Sequence, residues 1–190
     1  MGILNWFRGV LSSLGLWSKK ANIVFLGLDN AGKSTLLAML KNSSAQQIAP
    51  TQHPTSQVLQ IGQIQFKTYD LGGHEVARRV WEEYLQSAQG IVYLVDIADP
   101  SRFNESKDAL TQIIRNKDFN KLPIMILANK IDKPTAVSPD DVLQALGLHD
   151  QVTGKDAKVA TGQRPLEVFP CSVINREGYA EGFQWLGKFF

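Results

Sequence analysis

The chain has 190 residues, 44 % of them hydrophobic, enough for one substantial core and too few to suggest two independent ones. Its 20 basic residues nearly balance its 18 acidic ones, for a formal net charge of +2, so composition offers no broad basic surface and nucleic acid is not an expected partner. A single cysteine, Cys171, excludes an intramolecular disulfide, and no apolar run approaches the roughly 18 residues that a membrane crossing needs.

Residues 1–20 differ in kind from the rest of the chain. Ile3, Leu4, Phe7, Val10, Leu11, Leu14 and Trp17 recur at three- and four-residue steps, while Asn5, Arg8, Ser12 and Ser13 mostly fill the opposite side. That period is the one of an amphipathic helix. Fifteen helical residues would measure about 22 Å, long enough to lie on a bilayer and too short to cross it. Lys19 and Lys20 close the segment, placed to meet an anionic membrane surface. The pattern also fits a terminal helix docked on its own core, and the sequence leaves both readings open. Arg8 lies inside the segment and no small-residue cleavage site succeeds it, which does not fit a secretory signal. Trp6 stands where an N-myristoylation pattern wants Ser or Thr, so Gly2 is read as unacylated.

Residues 21–190 read as one α/β unit. Ile23 to Leu26 is a short run of strand formers, Leu36 to Leu40 begins a run of helix formers, and Gly27 to Ser34 sits between them. The spacing of Gly27, four residues, then Gly32-Lys33-Ser34 is that of a phosphate-cradling loop, whose glycines let backbone N–H groups converge on an anion at a helix N-terminus. Asp29, Asn30, Ala31 and Thr35 complete this stretch. Lys33 would reach the outer phosphates, and the Ser34 hydroxyl would ligate Mg²⁺.

The polar stretch Asn42 to Gln57, with Pro50 and Pro54, is long enough to suggest a functional loop. Val58–Ile61 and Ile64–Asp70 read as a hairpin turning at Gly62-Gln63, succeeded at once by Leu71-Gly72-Gly73-His74 and a helix from about Glu75 to Gln86. Gly90–Asp96, Ile124–Asn129 and Leu166–Cys171 read as further strands. They alternate with helices over Ser101 to about Asn116, Pro139 to about Leu146, and Tyr179 to Phe189, the pattern of a mainly parallel, doubly wound sheet. Ser138-Pro139-Asp140-Asp141 supplies an N-cap, a first-turn proline and two first-turn carboxylates, and Gly147 a stop. His149 to Arg164 is polar and is assigned no order.

Loops after strand ends are where open α/β sheets bind ligands. In Asn129-Lys130-Ile131-Asp132, a carboxylate at Asp132 can accept from the N1–H and 2-amino groups of guanine, a pair that adenine lacks. Asn129 can hold the loop and the purine edge, and the Lys130 stem can cover the ring. Cys171-Ser172-Val173 could offer backbone N–H groups to the guanine oxygen, although three such residues after a strand are also an ordinary turn.

These motifs together resemble the Arf superfamily of small GTPases, most closely its Sar branch, which initiates the COPII vesicle coat. The resemblance rests on Gly27 to Ser34, Pro50-Thr51-Gln52-His53-Pro54-Thr55-Ser56, Asp70 to His74, Ala77-Arg78-Arg79-Val80-Trp81, Asn129 to Asp132 and Cys171 to Val173. It implies a P-loop G domain over 21–190, with a six-stranded mostly parallel sheet, helices on both faces and a preceding amphipathic membrane helix over 1–20. It further implies that Thr51 and Asp70 join Ser34 at Mg²⁺, that the Gly73 N–H meets the γ-phosphate, and that His74 orients the attacking water. Thr55 is a competing hydroxyl, and the Pro50-Thr51 pair selects Thr51. Two departures stand out: Ser34 replaces a more usual threonine, and Pro170 stands where the family tends to have an unbranched apolar residue.

The implied activity is GTP hydrolysis to GDP, slow without an activating partner. The implied partners are a guanine-nucleotide exchange factor and coat subunits with GTPase-activating activity, at the cytosolic face of the endoplasmic reticulum or the Golgi. A GTP-holding scaffold without hydrolysis and an ATP-dependent P-loop kinase are the competing classes.

Overall fold

The computed structural model describes residues 20–42, 48–49, 56–61, 63–69, 82–156 and 159–189, together with Gly9 and Ser12. All but Gly9, Ser12 and Lys20 of the expected helix over 1–20 lie outside that set, as do His53, Thr51, Thr55, Asp70, Gly73 and His74 and residues 75–81 of the helix expected from about Glu75 to Gln86; of its described residues, 82–85 are helical.

Seven strands form one sheet: β1 (Ala21–Gly27), β2 (Ile48–Ala49), β3 (Ser56–Ile61), β4 (Ile64–Tyr69), β5 (Gly90–Asp96), β6 (Ile124–Asn129) and β7 (Leu166–Cys171), in the order β2-β3-β4-β1-β5-β6-β7. β1 runs parallel to both β4 and β5, and β6 and β7 continue the parallel series. β3 pairs antiparallel with β4, and the register brings Ile61 opposite Ile64, which fixes the two-residue connection expected at 62–63. The six strands read from sequence are all present. The seventh, β2, is a two-residue edge piece inside the polar stretch, too short to leave a periodic signal.

Strand residues alternate between two apolar layers because successive side chains point to opposite faces. Ile23, Phe25, Phe66, Leu94 and Phe169 pack on one face with α1 (Lys33–Asn42) and α4 (Tyr179–Leu186). Val24, Leu26, Tyr93, Val95 and Ile126 pack on the other with α2 (Phe103–Arg115) and α3 (Pro139–Leu146). Phe25, Phe66 and Phe183 meet at ring-centroid distances of 5.6–6.2 Å, seating α4 on the middle of the sheet.

The punctuation of α3 accords with its sequence. Ser138 Oγ accepts from the Asp141 N–H at 3.2 Å, the Asp141 carboxylate accepts from the Ser138 N–H at 3.3 Å, and Gly147 closes the helix at φ 68°. The helix expected from Ser101 begins instead as a 3-10 turn, Pro100–Arg102, and α4 ends at Leu186 with a 3-10 turn over Gly187–Phe189. Pro170 sits within β7 without breaking it, since β7 is an edge strand and has a side on which a missing N–H costs nothing. Among its described residues, the stretch 149–164 has no helix or strand, but it is tied down: Thr153 N–H donates to Leu166 O at 2.8 Å, and Trp185 Nε1 to Gly154 O at 3.2 Å.

Candidate nucleotide site

The parallel strands β1, β5, β6 and β7 deliver their succeeding loops to one edge of the sheet. After β1 the chain builds β2, β3 and β4 on one side of it and then β5, β6 and β7 on the other, which makes this edge a topological switch point. A solvent-open cleft of about 340 Å³ lies there, lined by Asn30, Gly32, Lys33, Ser34, Thr35, Asn129, Lys130, Asp132, Val173 and Ile174. Three loops expected separately from sequence thus converge on one space.

The phosphate-type loop is shorter than its motif, because β1 runs through Gly27 and α1 begins at Lys33. Two of its glycines are sterically required. A Cβ on Gly27 would stand 2.3 Å from the Leu94 carbonyl oxygen, and one on Gly32 would stand 2.4 Å from Asn129 Nδ2; φ is +139° and +104° at these positions. Asn30 also has positive φ, 61°. Lys33 is 3 % exposed, and its ammonium donates to Gly27 O at 2.8 Å and Leu28 O at 2.6 Å. The cation is thereby carried inside the loop on carbonyl dipoles, and Ser34 and Thr35 stand exposed at the first turn of α1. The N–H groups of that turn lack intrahelical partners, which suits an anion.

Asn129 links this loop to the opposite wall. Its Nδ2 donates to Ala31 O at 2.9 Å across 98 residues of sequence, and its Oδ1 accepts from the Val173 N–H at 3.0 Å. Asp132 is exposed, and its Oδ1 accepts from Ser172 Oγ at 2.5 Å; Ser172 is fully buried and its Oγ accepts in turn from the Asn175 N–H at 3.1 Å. This chain of bonds aims the carboxylate. Of the backbone donors expected at 171–173, the Val173 N–H donates to Asn129 Oδ1 and the Ser172 N–H to Glu177 O at 3.0 Å. The loop instead orients the two side chains that face the cleft.

Two residues of this region belong to no motif in the sequence. Asp96, at the end of β5, receives Lys130 Nζ at 2.6 Å on Oδ2 and the Ala98 N–H at 3.0 Å on Oδ1, and so pins the Lys130 stem along the cleft. Lys130 itself holds φ 77°. Arg102 grips Asp29 from the far side of the phosphate-type loop, with Nη2 2.7 Å from Asp29 Oδ1 and Nη1 3.1 Å from Asp29 O. This guanidinium holds the Asp29 carboxyl below its ordinary range. A carboxylate closing a strand at the binding edge was a usable signal for Asp96. Arg102, 73 positions from its partner, had none.

A family model, the ADP-ribosylation factor family, matches residues 7–190. The chain belongs to the ADP-ribosylation factor family. This Arf-family chain is 59 % identical over 190 residues, all of both chains, to a protein of Giardia intestinalis named small COPII coat GTPase SAR1. It is 43 % identical to the protein of the same name from Nicotiana tabacum, covering 100 % of this chain and 99 % of that one. An ADP-ribosylation factor-like protein 14 of Mus musculus is 34 % identical across 95 % of the Arf-family chain and 91 % of its own length.

Proposed function

We propose that this chain is a GTP-binding switch that hydrolyses GTP to GDP and, recruited to the cytosolic face of the endoplasmic reticulum membrane through residues 1–20, initiates COPII coat assembly. The observation that carries the reading is the single cleft in which the phosphate-type loop and the Asp132 carboxylate face each other, held in register by the Asn129 amide. Relatives aligned from end to end and named as small COPII coat GTPases support the biological half.

In this reading, the N–H groups of 29–35 cradle the phosphates, and Lys33 exchanges a loop carbonyl for a phosphate oxygen. Asp132 accepts from the guanine edge, with Ser172 holding its carboxylate in line. Lys130 covers the ring while Asp96 holds its ammonium. The donor set suits Mg²⁺, a hard cation that favours oxygen: the Ser34 hydroxyl is exposed at the start of α1, and Thr51 and Asp70 would complete the shell. When bound, the ion offsets the charge of the β- and γ-phosphates. His74 orients the water for in-line attack, and the Gly73 N–H steadies the γ-phosphate. None of the matched loops supplies an arginine finger, so intrinsic hydrolysis is slow and a coat-associated partner accelerates it by roughly 10³–10⁵. An exchange factor reloads the switch.

Single-turnover conversion of GTP, with and without excess ATP, tests this. GTP should turn over slowly and undisturbed, since buried polar groups reject a mismatched partner by roughly 10⁴. Equal competition by ATP would return the chain to the kinase class, and binding without turnover, even with an activating partner, to the scaffold class.

A further inference from the structure

We propose that Arg102 is a positioning residue for the phosphate loop: by holding the Asp29 carbonyl it aims the Asn30 N–H at the phosphates of a bound nucleoside polyphosphate. The inference rests on the guanine-nucleotide reading of the cleft. It starts from the two bonds that Arg102 makes to one residue, one to the Asp29 carboxylate and one to its backbone oxygen. A guanidinium is planar, so two such bonds fix both its distance and its orientation. The same fork is held from behind by Glu105, whose Oε2 accepts from Nε at 3.0 Å and lies 2.9 Å from Nη2.

The consequence lies in the next peptide. All described peptide bonds are trans. In a planar trans peptide, the C=O of Asp29 and the N–H of Asn30 point in opposite directions. Turning the carbonyl towards Arg102 therefore turns the N–H away from it, and Asn30 is one of the residues that line the cleft. Among the described residues that N–H has no acceptor, whereas the next one, Ala31 N–H, bonds Leu28 O at 3.3 Å. Asn30 also holds a left-handed backbone conformation, φ 61°, which few residues other than glycine adopt. Long-range contacts flank it on both sides, Arg102 on Asp29 and Asn129 on Ala31 O. An unpartnered donor held in a left-handed turn at the cleft is what an anionic phosphate would use.

The test measures GDP and IDP affinity for the full-length protein and its Arg102→Ala and Arg102→Lys variants, with Asp29→Asn in the Arg102→Ala background as a fourth. Arg102→Ala should weaken GDP about tenfold, the loss of one charge-assisted hydrogen bond, and leave the ratio of GDP to IDP affinity unchanged. Arg102→Lys should restore little, because an ammonium cannot hold carbonyl and carboxylate together, and it guards against a failure of the alanine variant to fold. Three results overturn the proposal: unchanged GDP affinity in the variants; a GDP to IDP ratio that falls with affinity, which marks general loosening; or full rescue by Asp29→Asn, which marks simple charge neutralisation. If the unaltered protein binds neither nucleotide, the reading of the cleft itself fails, and the proposal with it.

Discussion

Asn129 commits both ends of one carboxamide to holding two loops together, and Asp132 is the carboxylate among the residues that line the cleft, the group proposed to meet the purine. Asp132→Asn should exchange a preference for guanine for one for xanthine, whose 2-oxo group accepts from the new amide. Competition between GDP and XDP measures it, and an unchanged preference would remove Asp132 from the base site. Other residues bear on stability. Burial, with a smaller contribution from Glu105, raises the Tyr93 hydroxyl from 10 to about 12; the Tyr93 hydroxyl donates to Ser106 O at 2.9 Å. Burial, then the nearby Asp132 charge, raises the Cys171 thiol from 9 to about 12. Both groups hold their protons more tightly in the folded chain, so their contribution is intact below pH 9 and is lost as pH rises towards 12. The unfolding free energy from urea titrations should therefore fall steeply above pH 9, by several kcal/mol in total. The fall should be shallower in Tyr93→Phe with Cys171→Ala, and an identical fall in that variant would contradict the assignment.

Among the elements, the connection from α2 to β6 depends on Arg164. Its guanidinium donates to Phe119 O at 2.6 Å, Asn120 O at 3.1 Å and Ile113 O at 3.4 Å, and so ties the end of α2 and the 3-10 turn after it to the segment that leads into β7. Arg164→Met should cost about 2 kcal/mol and lower the thermal midpoint by about 4–8 °C; a change under about 1 °C would make the clamp incidental. This contact also marks the limit of what the chain's letters disclose. Strands and helices with clear periods were legible, down to the cap and stop of α3, because local spacing dictates them. The phosphate-type loop and the Asn129 to Asp132 loop were legible because each is a contiguous chemical pattern. Arg164, Asp96 and Arg102 act across 34 to 73 positions, and Ser172 orients Asp132 across 40, so no window of sequence contains both partners. Why Pro170 is tolerated in β7 was not legible either, since only the sheet order shows that it stands on an edge.

Across the described residues, the sheet separates a layer made by α1 and α4 from one made by α2 and α3, and it places the phosphate-type loop, the Asn129 to Asp132 loop and the loop after β7 at one edge. No described helix is long and apolar enough to cross a membrane. The proposed attachment to a bilayer uses residues 1–20, whose Ile3, Leu4, Phe7, Val10, Leu11, Leu14 and Trp17 could stabilise a docked or an inserted state at roughly 25 cal/mol per Å² buried. A nucleotide selects between the two only by binding them with different affinity. In the Arf family, the resemblance implies, the hairpin of β3 and β4 slides by two residues and displaces the helix. A two-residue slip keeps every side chain on its own face of the sheet. Deleting residues 1–17 should leave guanine-nucleotide binding intact, because the phosphate loop and Asp132 lie outside the deletion, and should abolish membrane binding. The most direct test is flotation of the full chain with anionic liposomes. The protein should rise with them when loaded with a non-hydrolysable GTP analogue and stay largely behind when loaded with GDP. Equal flotation in both states, or in neither, would contradict a nucleotide-controlled membrane switch.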